Sequence, residues 1–343
     1  MPLWAMKSET VLCLGFLTLG AYLVRAADCN RNGVRDDLDV HQPVFAGFEK
    51  TGNIELGNAP WALDRGDIDG DQDFDLVVAI PAANNVAILA NDGNGSFRLA
   101  RNLAAGTGPH FTSVADLDGD KDLDLAVANA GSNNLSILKN NGSGVFQSAG
   151  ALPAGNQPIS VTAADLDGDS DLDLAAANLS SNNVSVHLNQ GAGSFLAPKF
   201  FVVGTTPTWI GAADLDGDQD LDLAAVNSGS DNVSILLNGG GGTFAAAVYY
   251  PVGNDPRSLA ALDWDRDGDF DLAVANSATV TVSLLANSGS GTFTEVFTLG
   301  SWYEPIAVTA GDLDGDGWDD VAAANFGSDT LVAILNLGGD GNV

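Results

Sequence analysis

A fixed period constrains this chain more than any other feature. Asp67, Asp116, Asp165, Asp214, Asp263 and Asp312 recur at a constant step of 49 residues. Pro60, Pro109, Pro158, Pro207, Pro256 and Pro305 keep the same step, as do Phe48, Phe97, Phe146, Phe195, Phe244 and Phe293. Three series in one register define an internal repeat, in which each unit is a supersecondary element that buries its faces against its neighbours.

Within a unit the apolar pattern is that of short strands. Pro158 opens ISVTAADL, an acidic loop follows, then LDLAAAN, a polar turn, VSVHLN, a Gly-Ser turn and a last strand begun by Phe195. Turn residues separate runs of five to eight residues, and no helical period of any length appears. Four strands in a repeat of this size predict a blade, and blades arrayed about an axis predict an all-β fold, a β-propeller. Six blades of four strands are expected. The last repeat ends before its fourth strand, and AGFEKTGNIEL, which holds Phe48, matches a fourth strand with no blade of its own. The N-terminal segment is therefore expected to supply the last blade's fourth strand and close the ring. This places the propeller at residues 44–343.

The acidic loops carry the chemistry. DLDGDKDLD, residues 116–124, sets five carboxylates in nine residues, and the six copies hold 30 of the 45 acidic residues in a chain with 13 basic ones and a net charge of −32. Such charge repels nucleic acid and anionic lipid and suits bound cations. Ca²⁺ takes six to eight oxygen ligands, which carboxylates at alternate loop positions supply. Positions 1, 3, 5 and 9 are the candidate ligands. They are Asp67, Asp69, Asp71 and Asp75 in the first loop, and Asp116, Asp118, Asp120 and Asp124 in the second. The third has Asp165, Asp167, Asp169 and Asp173, and the fourth Asp214, Asp216, Asp218 and Asp222. The last two have Asp263, Asp265, Asp267 and Asp271, and Asp312, Asp314, Asp316 and Asp320. Position 7 is expected to give its backbone carbonyl, which leaves its side chain free to vary. It is Asp in five copies and Trp318 in the sixth, where the other four acids persist. Zinc is disfavoured by the lack of His or Cys in the loops, and magnesium by its strict octahedron. About six Ca²⁺ are expected in the propeller.

The unit AADLDGDxDLDLAxAN … NNVSVxLN … GxF resembles the FG-GAP/VCBS repeat family found in integrin-α-type β-propellers, over about residues 44–338. That resemblance implies a propeller with calcium in the loop joining the first two strands of each blade. It also implies exposure outside the cell, with adhesion or recognition as the role. Integrin-like propellers have seven blades, against the six counted here.

Ahead of the propeller, residues 1–26 read as a secretory signal peptide: Lys7, an apolar core over residues 11–24 and a small-residue exit near Ala26. Once it is cleaved no membrane span remains, and the protein is expected to be secreted or at the cell surface. Cys13 leaves with it, so Cys29 has no intrachain partner and stands free, lipidated or bridged to another chain. Residues 27–43 form a linker with one further loop, DCNRNGVRDDLD. Asp28, Asn30, Asn32, Asp36 and Asp39 take positions 1, 3, 5, 9 and 12, with Val34 at 7 and Gly33 at 6. It resembles the calcium loops of dockerins and thrombospondin type 3 repeats, which implies one more Ca²⁺ near the N-terminus.

No catalytic constellation emerges. His41, His110 and His187 lie in unrelated contexts, with no HExxH and no GxSxG. The expected function is a non-catalytic, calcium-binding recognition or adhesion propeller with an extracellular protein or glycan as partner. A lectin-like protein and a polysaccharide-active enzyme with a loop-built site are the alternatives, beside a purely structural surface component. The Pro-series turns, on the face opposite the acidic loops, bear the candidate ligand residues Trp61, His110, Phe111, Trp209, Arg257, Trp302 and Tyr303. Exposed rings there would stack on sugars or anchor a protein; packed rings would instead plug the central channel.

Overall fold

A computed structural model describes residues 54–56, 59–300, 303–328 and 330–338. The described chain is all-β apart from a single 3₁₀ turn at Pro81–Ala83. It forms six antiparallel sheets in chain order. The first blade is β1 (Ala62–Gly66), β2 (Asp75–Ile80), β3 (Asn85–Asn91) and β4 (Phe97–Ala104). The second is β5 (Pro109–Ala115), β6 (Asp124–Asn129), β7 (Asn134–Lys139) and β8 (Gln147–Pro153). The third is β9 (Pro158–Ala164), β10 (Asp173–Asn178), β11 (Asn183–His187) and β12 (Lys199–Val202). The fourth is β13 (Pro207–Ala213), β14 (Asp222–Asn227), β15 (Asn232–Leu236) and β16 (Val248–Pro251). The fifth is β17 (Pro256–Leu262), β18 (Asp271–Asn276), β19 (Thr281–Asn287) and β20 (Phe293–Gly300). The sixth shows β21 (Pro305–Gly311), β22 (Asp320–Asn325) and β23 (Thr330–Ile334). The expected closing strand, with Phe48, lies outside the described residues, as do the signal peptide and the loop at residues 28–39.

The second strand of each blade explains the Ala-rich runs. All six residues of β6, β10, β14, β18 and β22 are buried, because both faces of the sheet are covered. Alternation of polar and apolar residues is lost there for the same reason, and small side chains let the sheets approach. Each interface has its own apolar cluster, five in all from the first blade to the sixth. Between the second and third blades, for example, Leu117, Ala126, Leu135 and Ile137 meet Val161, Leu174 and Ala176. Outer strands face solvent, and β4 and β8 are mostly exposed.

Strand direction places the site. Each first strand starts at its Pro, or two residues after Pro60 in the first blade, and ends just before its acidic loop, so the six loops share one face and the Pro turns the other. On the Pro face, turn residues fasten each of the first four blades to the next. Asn133, in the left-handed region at φ 55°, accepts a 2.8 Å bond from the Gln157 N–H, and Asn182 accepts one of 2.8 Å from Thr206.

Candidate metal centres

In the second loop, Asp116 Oδ1 accepts from the Gly119 N–H at 2.8 Å and Oδ2 from the Lys121 N–H at 2.9 Å. These bonds wrap the chain around the first carboxylate, and Gly119 at φ 80° makes the bend that a Cβ would strain. Asp120 Oδ1 accepts from the Asp122 N–H at 3.0 Å. Asp124, fully buried, takes the Leu117 N–H at 3.1 Å on one oxygen and the Asn140 N–H at 2.7 Å on the other. The first, third and fourth loops repeat this pattern, with Asp67, Asp165 and Asp214 as hubs. The sixth repeats it around Asp312.

Position 3 is different. The Oδ1 atoms of Asp69, Asp118, Asp167 and Asp216 are buried and have no hydrogen-bond partner among the described residues. A buried, unsatisfied carboxylate oxygen costs free energy, and five acids in one loop add repulsion. Carboxylate oxygens of Asp116, Asp118 and Asp124, of Asp165, Asp167 and Asp173, and of Asp263, Asp265 and Asp271 lie within 4.8 Å of one another. Asp67, Asp69 and Asp71, and Asp214, Asp216 and Asp218, make the corresponding groups. A cation at the focus of such a group satisfies the orphaned oxygens, so the donor set fits metal. Burial pushes Asp124, Asp173, Asp222, Asp271 and Asp320 up to about 6, against the pull of their backbone N–H partners and with a further push from loop neighbours.

Position 7 points elsewhere, as expected for a residue that varies. A Cβ at Gly142, in the hairpin between β7 and β8, would sit 2.5 Å from Asp122 Oδ1. Trp318 occupies the corresponding place against Gly338. The loop side chain thus covers a hairpin glycine of its own blade.

Two residues that the sequence reading passed over modify single loops. The Lys139 ammonium lies 3.1 Å from Asp118 Oδ2 and donates to the Ala192 carbonyl at 2.7 Å. Arg266 replaces glycine at position 4 of the fifth loop, at φ 61°. Asp263 Oδ1 is buried and unpartnered there, and the glycine has moved to position 6, where Gly268 has φ 96°.

The FG-GAP-like repeat profile matches five times, at residues 67–127, 116–176, 165–225, 214–274 and 263–323, each window opening on the first Asp of a loop. The chain belongs to the FG-GAP-like repeat family. No curated protein matches it. Solved structures similar to this FG-GAP chain include BBS1N in complex with ARL6DN, at 15% identity, covering 77% of this chain and 73% of that one, with a TM-score of 0.56. An Agrocybe aegerita lectin that recognises non-reducing terminal N-acetylglucosamine is 19% identical over 80% of each chain, with a TM-score of 0.54. Virginiamycin B lyase from Staphylococcus aureus is 12% identical over 80% of this chain and 86% of its own, also at 0.54. At these identities the likeness is one of fold.

On the opposite face of the FG-GAP propeller the candidate rings pack on one another. Trp61 and His110 stand 4.3 Å apart, centroid to centroid, from the first and second blades. Phe111 meets Trp209 edge-on at 5.0 Å, a contact from the second blade to the fourth that passes over the third. These four are half-buried, and burial holds His110 down at about 4, which keeps it neutral. Arg257 pairs with Asp255 at 2.7 Å. Tyr303 is 67% exposed, and Trp302 lies outside the described residues.

Proposed function

We propose that this protein is a calcium-stabilised, non-catalytic recognition propeller that works outside the cell, secreted or at the cell surface, with a protein or a glycan as partner. One observation carries the calcium reading: four loops bury a position 3 oxygen that has no donor, in a group of carboxylates close enough to share one ion. The donors are oxygen throughout and the loops are long, which suits Ca²⁺ over Zn²⁺ or Mg²⁺. Extracellular modules bind calcium at about 10⁻⁴–10⁻³ M, a range the outside of a cell supplies.

The recognition reading is supported by the face opposite the acidic loops, which carries the exposed Tyr303 and two pairs of packed rings. Of two fold neighbours, BBS1N is in complex with ARL6DN and the Agrocybe aegerita lectin recognises terminal N-acetylglucosamine. The second reading, a lectin, rests on the same exposed ring, which suits stacking on a pyranose.

Native mass spectrometry of the protein with saturating Ca²⁺ tests the metal reading. About six bound ions are expected in the propeller, and one fewer after Asp165→Ala with Asp169→Ala. Chelation is expected to lower the melting temperature and readdition to restore it. An unchanged ion count in the variant refutes the ligand assignment. Glycan arrays and matrix-protein binding, with Tyr303→Ala as control, separate the two partner classes. N-terminal sequencing of exported protein tests cleavage after residue 26.

A further inference from the structure

A second asparagine series links the loops. Asn140, Asn189, Asn238, Asn287 and Asn336 stand 49 residues apart, each at the end of the third strand of its blade or within two residues of it. The Asn189 N–H donates to Asp173 Oδ1 at 2.6 Å, inside its own blade's loop. Its side-chain Nδ2 donates across the blade boundary to the Leu117 carbonyl at 2.8 Å, and to Leu172 of its own loop at 3.1 Å. Leu117 sits between Asp116 and Asp118, and its N–H is already held by Asp124.

Every seam from the first blade to the sixth repeats this. Asn140 reaches the Ile68 carbonyl at 2.7 Å, Asn238 that of Leu166 at 2.8 Å, Asn287 that of Leu215 at 2.7 Å and Asn336 that of Trp264 at 2.7 Å. Each of these asparagines also donates its N–H to the position 9 Asp of its own blade at 2.7 Å. The bonds join end to end. Asp75 holds Ile68, Ile68 accepts from Asn140, Asn140 binds Asp124, Asp124 holds Leu117, and the series runs on to Asp320. Asn140, Asn189, Asn238 and Asn287 are buried, so water does not compete.

We propose that this relay couples the loops, so that an ion in one loop raises the affinity of the next. The inference rests on the calcium reading and goes beyond it. An ion at the third loop fixes the Asp173 carboxylate, which fixes Asn189. Asn189 then fixes the backbone between Asp116 and Asp118, two candidate ligands of the second loop. The second ion finds its ligands already ordered, and the ordering cost is met once for both. The coupling is reciprocal. The first blade provides a natural control. Asn91 makes the within-blade bonds, to Asp75 at 2.8 Å and to the Phe74 carbonyl at 3.1 Å, and among the described residues none to the sixth blade.

Native mass spectrometry of the full protein, titrated with Ca²⁺ alone, reads the distribution of ion numbers at half saturation. Coupled loops give nearly empty and nearly full species with few between, as when filling one loop raises its neighbour's affinity about fivefold or more. Asn189→Ala is expected to shift the distribution towards that of independent sites, while Asn91→Ala leaves it as in the unmodified protein. Asn238→Ala repeats the test at another seam should Asn189→Ala fail to fold by circular dichroism. Six ions distributed as independent sites in the unmodified protein overturn the coupling and leave the calcium reading standing. Equal effects of Asn189→Ala and Asn91→Ala overturn it too, since then the within-blade bond is responsible. A protein that takes up no Ca²⁺ sinks both readings.

Discussion

Arg266 lies over the indole of Trp318, its Cζ 4.7 Å from the ring centroid. Each residue breaks the repeat at its own position, Arg266 in place of glycine in the fifth loop and Trp318 in place of Asp in the sixth, and the two breaks touch. Arg266 also donates to the Gly317 carbonyl, and the Asp263 N–H donates to Asp319 at 3.0 Å, so the two loops are stapled together. The staple is obtained against a backbone in the left-handed region, which a non-glycine residue rarely adopts. A double-mutant cycle on Arg266→Ala and Trp318→Ala, measured by urea unfolding, is expected to give a coupling of about 0.5–1 kcal/mol, the usual size for an exposed cation over an aromatic face. Additive effects would show that the contact contributes nothing.

The second loop carries its own cation. The Lys139 ammonium, 3.1 Å from Asp118, competes for the carboxylate that a bound ion needs. Lys139→Met is expected to raise calcium affinity at that one loop by up to roughly fivefold, since partly exposed pairs contribute at most about 1 kcal/mol. Calorimetric titration reads this as a tighter class of one ion. An unchanged isotherm would mean that the lysine swings clear on binding.

The buried aspartates set a pH dependence whose sign reverses with metal. Asp124, Asp173, Asp222, Asp271 and Asp320 sit at about 6 in the folded chain against 3.8 in the reference state. Between those values the native state binds more protons than the unfolded one. Metal-free stability therefore falls as pH rises from about 4 through 6. The chelated protein is expected to melt higher at pH 5 than at pH 7. With saturating Ca²⁺ the order inverts, because protons then displace the ion. Scanning calorimetry with and without chelator tests it, and parallel trends in both conditions would refute it.

What the sequence made legible was whatever repeated. Blade number, the order of strands within a blade and the clustering of the loop aspartates could be read because a fixed step exposes constraint without any second sequence. Trp318 shows that position 7 tolerates another side chain, and it lies against Gly338 as Asp122 lies against Gly142. The Asn189 series repeats just as strictly and stood in plain view at the end of VSVHLN, but asparagine after a strand reads as a turn residue. Its second partner lies 72 residues away in the neighbouring blade, and no local pattern gives that. Lys139 and Arg266 break the repeat, so their partners follow from geometry alone. The rings of the Pro face show a limit of another kind. Sequence placed Phe111 and Trp209 on one face, but whether they lie open or pack together depends on how closely three blades crowd the axis.

His187 is an exception of that sort within the core. It occupies the place held by Leu138, Leu236 and Leu285 in other blades, it is fully buried, and neither ring nitrogen has a hydrogen-bond partner among the described residues. Burial holds it down at about 4, so it is neutral near pH 7. An unsatisfied buried polar group costs about 1–3 kcal/mol, and leucine fits the same place in neighbouring repeats. His187→Leu is therefore expected to stabilise the protein by about that amount at pH 7. The gain should widen on acidification. The unfolded histidine titrates near 6.5 and the folded one near 4, so between them the unfolded state binds more protons and stability drops as pH falls. This opposes the trend of the metal-free aspartates, which makes it separable. The difference between His187→Leu and the unmodified protein, taken at pH 7 and pH 5 under identical calcium, cancels the aspartate contribution. A variant that is less stable at both values would mean that the imidazole fills its site better than leucine can.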